Sequence, residues 1–290
     1  AIVSYIKIRE RNLVREKKIL EDKVRERTAE VVTQKEELAE KNKDITDSIR
    51  YAKRIQFAIL PPEIPFNDTF ILFKPKDIVS GDFYWIEVID NIEFIAAVDC
   101  TGHGVPGAFM SIIGYNSLNK IVKEQGVYEP GKILDLLDKE VIYNLRTQDD
   151  GTVYDGMDLA LICYHRDTGI LEYAGAYNPL ILLRDNNMEE IKADRFSIGR
   201  SSHIEKKRNF TNHKIKMRKN DIIYIFSDGY ADQFGGETGK KFKYKPLKEL
   251  IIAISERPMS SQKEILDKTH EAWRGDIEQV DDILVIGRKF

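Results

Sequence analysis

An apolar, β-prone run from Ile92 to Val98, broken only by Glu93, ends at Asp99, and the chain then turns through Cys100-Thr101-Gly102-His103-Gly104-Val105-Pro106. A carboxylate at the end of a buried strand, beside open backbone, suits a hard divalent ion, which prefers oxygen ligands. Ser80-Gly81-Asp82, Ser227-Asp228-Gly229 and Val280-Asp281-Asp282 place further carboxylates at strand ends or turns. Two ions ~3.5–4 Å apart, bridged by one carboxylate and held by terminal ones, form a common apparatus for displacement at phosphorus. Singly, an Asp before Gly is most often a turn residue. The set carries more weight, because each member adjoins an apolar run. Asp82, Asp99, Asp228 and either Asp281 or Asp282 could supply such a centre.

His103 sits between two glycines. It reads either as a proton donor to a leaving group or as a loop residue that shapes the turn, and the second reading is preferred. Gly102 and Gly104 open backbone torsions closed to other residues. Pro106 suits the first turn of a helix.

These carboxylates need strands to hold them. Thr69–Phe73, Phe83–Ile89, Ile92–Val98, Leu159–Tyr164, Ile170–Ala174, Leu180–Leu183, Ile222–Phe226 and Ile283–Ile286 read as strands from their apolar, β-branched and aromatic content. Val105–Gln125, Gly131–Leu145, Leu247–Ser255 and Gln262–Trp273 read as helices. Runs of strands with helices in pairs predict an α+β sandwich rather than a doubly wound sheet. Trp273, Phe83 and Trp85 read as core. Gln233–Lys245, Gly-rich and basic, reads as either a mobile flap or a solvated loop.

The first sixty residues differ in character. They are highly charged and hold neither Gly nor Pro until Pro61-Pro62, which ends the helix. Val3, Val24, Val31, Leu38, Ile45, Ala52 and Ile59 fall in one heptad position, and Ile6, Leu13, Leu20 and Ile55 in the interlocking one. Glu10 and Lys17 interrupt the first seam, and Arg27, Gln34, Lys41 and Ser48 the second. The pattern predicts a parallel homodimeric coiled coil over residues 1–62, weak in mid-seam, ahead of a globular domain over 63–290. The alternative is a single amphipathic helix lying on that domain.

With 45 basic and 48 acidic residues, a net charge of −3, the 290-residue chain gives no reason to expect nucleic acid as a partner. Two cysteines, Cys100 and Cys163, make no disulfide framework and suit a reducing compartment. No run reaches the ~18 apolar residues of a membrane span. Ala1-Ile2-Val3-Ser4-Tyr5-Ile6, followed by Lys7, Arg9, Arg11 and Arg15, fits either the cytoplasmic end of a preceding transmembrane helix or an arbitrary boundary. The expectation is a cytoplasmic domain, with anchorage of a longer sensor protein left open.

Ser80-Gly81-Asp82-Phe83-Tyr84-Trp85, Val98-Asp99-Cys100-Thr101-Gly102-His103-Gly104-Val105-Pro106, Phe226-Ser227-Asp228-Gly229 and Gln279-Val280-Asp281-Asp282, in that order, resemble the SpoIIE/RsbU-like branch of the PPM (type 2C) metal-dependent serine/threonine protein phosphatases. Asp155-Gly156-Met157-Asp158 and Ala174-Gly175-Ala176-Tyr177-Asn178-Pro179 also look like signatures of that branch. The resemblance covers about residues 65–290 and implies a four-layer α-β-β-α sandwich with two Mn²⁺ or Mg²⁺ ions at one end of the sheets. It makes Asp99 the bridging ligand, the carbonyl of Cys100 and Asp82 ligands of the second metal, and Asp228 a ligand of the first. In the final motif it favours Asp281, with Asp282 second, and it gives Asp155 a place near a labile third ion. It further implies a phosphoserine or phosphothreonine substrate on a bacterial regulator, typically an anti-anti-sigma-like STAS domain. The coil running into Tyr51–Pro61 resembles the linker of membrane-associated sensors. The Arg by which eukaryotic relatives grip the substrate phosphate has no clear counterpart here, and Lys74 and Lys76 are the nearby cations.

The competing reading is a catalytically silent scaffold whose coil dimerises and whose domain only binds a regulatory partner, against which the retained Asp set argues. A nucleotidyl cyclase ranks lower for want of a Gly-rich nucleotide loop, and a histidine kinase is disfavoured because the coil holds no His.

Overall fold

The computed structural model describes residues 2–61, 64–145, 155–199 and 209–290. The chain divides into two compact units, residues 1–51 and 52–290. Helix α1 (Ile2–Ile59) makes up the first unit and contributes its last two turns to the second. In the first unit Ile6, Leu13, Leu20, Val24, Val31, Leu38 and Ile45 are all exposed. The charged face carries pairs one turn apart, such as Lys17–Glu21 at 3.7 Å and Arg27–Glu30 at 2.7 Å. Exposed pairs of this kind support a helix by only about 0.3–0.5 kcal/mol each. Pro62 lies outside the described residues, and no helix among the described residues is long and apolar enough to cross a membrane.

The second unit continues with β1 (Thr69–Lys74), β2 (Phe83–Ile89), β3 (Ile92–Cys100), α2 (Gly104–Asn119), a π-helical turn (Lys120–Glu124) and α3 (Pro130–Leu145). Then come β4 (Met157–His165), β5 (Ile170–Ala176), β6 (Leu180–Arg184), β7 (Asn187–Ile191), β8 (His213–Lys216) and β9 (Ile222–Phe226). A short α4 (Gly229–Asp232), the paired β10 (Phe234–Gly235) and β11 (Lys240–Lys241), α5 (Tyr244–Ile254), α6 (Met259–Arg274) and β12 (Ile283–Lys289) complete it. The strands form two antiparallel five-stranded sheets, ordered β1-β12-β9-β6-β7 and β2-β3-β4-β5-β8.

The layers follow from the two-residue period of a strand. Along β3, Ile95 and Ala97 enter a core with Ile223 and Ile225 of β9, between the sheets. Phe94, Ala96 and Val98 point the other way, toward α2 and α3. Along β9, Ile222, Tyr224 and Phe226 face α5 and α6. Strands buried on both faces read as continuous apolar runs, as these do. The result is the expected α-β-β-α sandwich. Glu93, the one break in the β3 run, is buried because Arg166 and Arg288 both hold its carboxylate.

Two strands of the five-stranded sheets escaped sequence reading. Met188 alone among the first four residues of β7 is not fully exposed, and β8 reads His-Lys-Ile-Lys. Both are outermost in their sheets, where charge discourages pairing with a stranger. The Gln233–Lys245 stretch is a solvated loop over residues 236–239, closed at its base by a short strand pair. That pair is β10–β11, with Gly235 and Gly236 against Trp273.

One close approach ties the fold to the site. A methyl group on Gly107, in the first turn of α2, would lie 2.4 Å from the Gly102 carbonyl and 2.9 Å from the Gly81 Cα. Gly107→Ala must therefore wedge apart the Gly81 and Gly102 loops. Urea unfolding is expected to show a loss of about 1–3 kcal/mol, whereas wild-type stability would mean the loops tolerate separation.

Candidate metal centre

Antiparallel pairing brings the acidic strand ends to one edge. Asp82 precedes β2, Asp99 is next to last in β3, Asp228 follows β9, and Asp281 and Asp282 precede β12. Asp99, Asp228 and Asp281 line a cleft of about 250 Å³ together with His103, the Cys100 segment and Asp158. Both sheets thus supply carboxylates to one opening.

Each acid is held differently. The Asp228 backbone N–H donates to the Asp99 carboxylate. Asp82 lies beneath, 2% exposed, and takes a hydrogen bond from the Ser227 hydroxyl while its Oδ2 has no partner. Asp282 is engaged at both oxygens, accepting from the Lys76 N–H and the Gly81 N–H at 2.7 Å each. The Asp281 carboxylate accepts from the Asp282 N–H, at 2.8 Å, and faces the cleft. The two neighbours therefore differ in surroundings: Asp282 braces the Gly81 loop, and Asp281 is open. The Cys100 side chain belongs to the apolar core under α2, which leaves its backbone on the cleft side. Asp155 is half-buried and lies off the cleft lining.

His103 Nδ1 lies 2.8 Å from Asp77 Oδ2, with both groups largely exposed. Gly102 and Gly104, at φ +84° and +65°, make the turn around it. Lys74 is spent elsewhere: its ammonium bonds Asp267 at 2.6 Å and also Glu271, both on α6. Lys76 and His103 lie close enough to Asp281 to offset part of the rise in its pKa.

A residue outside the acidic motifs completes the frame. Gln56, near the end of α1, is 2% exposed. Its amide nitrogen donates to the Ser80 carbonyl at 2.5 Å and to Ser111 Oγ of α2 at 2.8 Å, and its oxygen accepts from the Ser80 N–H at 3.0 Å. Nothing in the sequence marks it, because an isolated Gln in a charged helix reads as surface.

Burial and the surrounding carboxylates push Asp82 and Asp99 well above the ordinary carboxylate range and raise Asp281, while Asp228 is pushed up to about 6. The donors fit a hard cation: oxygen only, crowded like charges, and one buried carboxylate oxygen without a partner.

Comparison with known proteins now decides the family. A model of the stage II sporulation protein E (SpoIIE) family matches residues 93–290. The chain belongs to the SpoIIE family. It is 30% identical to the SiaA-PP2C domain of Pseudomonas aeruginosa over 86% of this chain and 98% of that one, with a TM-score of 0.78. The PP2C phosphatase domain of SpoIIE from Bacillus subtilis, solved with a fragment of its regulatory domain, shares the fold at 19% identity and a TM-score of 0.59, over 77% of this chain and 62% of that one. The PPM Ser-Thr phosphatase MsPP of Mycobacterium smegmatis does so at 14% identity and 0.51, over 77% and 97%. A search among curated proteins found no match. This SpoIIE-family chain is accordingly a metal-dependent protein phosphatase of the PPM class.

The raised acids set a pH dependence. Asp228 has its folded pKa near 6 against 3.8 for the free side chain. Its contribution is fully present below pH ~3.8 and is lost as pH rises through about 6, because the folded state then holds a penalised charge. Without added metal, Asp228→Asn should gain on wild type between about pH 4 and pH 7, by on the order of 1–3 kcal/mol in unfolding free energy. A difference that does not change with pH would contradict this.

Proposed function

We propose that this domain hydrolyses phosphoserine or phosphothreonine on a bacterial regulator of the STAS type, with two Mn²⁺ or Mg²⁺ ions held by Asp82, Asp99, the Cys100 carbonyl, Asp228 and Asp281. The observation that carries the reading is the convergence of carboxylates from both sheets on one cleft, above a buried Asp82 oxygen without a partner. In this assignment Asp99 would be shared by both ions, Asp228 would hold the first, and Asp82 and the Cys100 carbonyl would hold the second. When bound, the ions supply positive charge for the phosphoryl group in transfer and activate the attacking water. Among the described residues no three acidic, His or Cys side chains are gathered tightly enough to chelate one ion as they stand. Binding therefore asks the carboxylates to rotate inward, while the Ser227 hydroxyl and the Asp228 N–H keep Asp82 and Asp99 near their places. Lys76 beside Asp281 offers the cation that meets the substrate phosphate.

Residues 1–62 are assigned as a dimerisation helix and 63–290 as the phosphatase domain. The apolar seam exposed along α1 supports pairing with a second copy. Gln56 supplies the joint by which movement of α1 reaches Ser80 and α2, which flank the Asp82 and Asp99 loops.

Hydrolysis of p-nitrophenyl phosphate should require Mn²⁺ or Mg²⁺ and fall roughly 100-fold or more in Asp99→Asn, since losing a bridging ligand removes several kcal/mol of charge stabilisation. Turnover by a folded Asp99→Asn variant at the wild-type rate would sink the assignment. Gln56→Ala leaves Ser80 groups unsatisfied, at a cost of about 1–3 kcal/mol, and should raise the Mn²⁺ concentration needed for half-maximal activity. Sedimentation should show a dimer that becomes a monomer when residues 1–51 are removed. A dimer that survives the cut would refute the role given to the coil.

A further inference from the structure

Asp158 is an acid that none of the assigned roles uses. It is the second residue of β4, and its partner across the sheet is Asp99 of β3. Directly opposed residues of an antiparallel pair hold their Cβ atoms ~4.5–5.5 Å apart on one face, and two like charges there are destabilising. Both side chains line the cleft that Asp228 and Asp281 enter from the other sheet. The backbone gives Asp158 no route away. Thr101 bonds Gly156 through both its N–H, at 2.9 Å, and its hydroxyl, at 2.5 and 2.7 Å. On the other side Met157 and Ile198 exchange two backbone bonds of 3.0 Å. The start of β4 is thus clamped on both flanks, with a carboxylate fixed opposite the central acid of the site. At the same edge Asp82, 2% exposed, has an Oδ2 without a hydrogen-bond partner, and Asp99 is the strongest of the charges that act on it.

We propose that Asp158 is a further metal ligand, giving a carboxylate oxygen to a divalent cation on the β4 side of the cleft, alongside Asp99. The proposal rests on the metal-centre reading above. It places the additional acid at Asp158 rather than at Asp155, which lies off the cleft. Asp158 is also among the charges that push up both Asp99 and Asp228, so its field already reaches the acids with which it would share the ion. An oxygen-only donor set of this kind selects Mn²⁺ or Mg²⁺ over softer metals.

The test is calorimetric titration of Mn²⁺ into the metal-stripped full chain, comparing wild type, Asp158→Asn and Asp99→Asn, each checked for fold by circular dichroism. Replacing residues that merely support ligands costs about 10–100-fold in metal affinity, so Asp158→Asn should weaken Mn²⁺ binding at least ~10-fold. Should Asp158→Asn fail to fold, Asp158→Ser carries the same expectation. Wild-type Mn²⁺ affinity in the Asp158 variant, with binding lost in Asp99→Asn, would overturn the proposal and leave the metal centre standing. Wild-type affinity in both variants would overturn the metal centre as well. A lower metal-free melting temperature with unchanged Mn²⁺ affinity would make Asp158 a structural residue and also refute the proposal.

Discussion

Carboxylates crowded together out of water repel one another, and positive charge must meet that repulsion. Asp82, Asp99, Asp228 and Asp281 are all raised above the usual carboxylate range, burial first and neighbouring carboxylates after it. The described residues answer with little: Lys76 and His103 act on Asp281, Lys241 acts on Asp228, and Lys74 is turned toward α6. A fold that keeps such a group stores unfavourable energy at one edge, and a divalent cation is the species that relieves it. Stability is gained elsewhere, in three apolar layers between and outside two sheets.

Rigidity is what lets the sandwich hold the acids. None of them sits within a long loop; each is within a residue or two of a strand buried on both faces or nearly so. Asp282 bonds the backbone of Lys76 and Gly81, Ser227 bonds Asp82 and Leu284, and Gly107 lets α2 close on the Gly102 turn. Gln56 extends this bracing into the last turns of α1. The site is therefore mechanically continuous with the end of the long helix. The last turns of α1 are thus tied by hydrogen bonds to the loops that carry the acids.

Much of this was legible in the sequence, for identifiable reasons. Phe83–Ile89 and Ile222–Phe226 are bounded as strands by Asp and Ser on one side or the other, and their limits agree with those read from the residues. The two sheets followed from runs of strands, and the strand-end acids stood out because carboxylates abut apolar runs. What was hidden depends on pairing. Asp281 and Asp282 are adjacent letters, and only the hydrogen bonds of Asp282 separate their surroundings. Asp158 gains meaning from lying opposite Asp99, a register no local pattern reveals. Gln56 gains it from burial against Ser80 and Ser111, far along the chain. Strands β7 and β8 were missed because edge strands carry charge in place of an apolar pattern.

The most direct measurement is anomalous diffraction at the manganese edge from crystals grown with Mn²⁺. The account predicts paired peaks in the cleft, one between Asp99 and Asp228 and one between Asp99, the Cys100 carbonyl and Asp82. Peaks confined to the protein surface, or a cleft without manganese at saturating concentration, would contradict it.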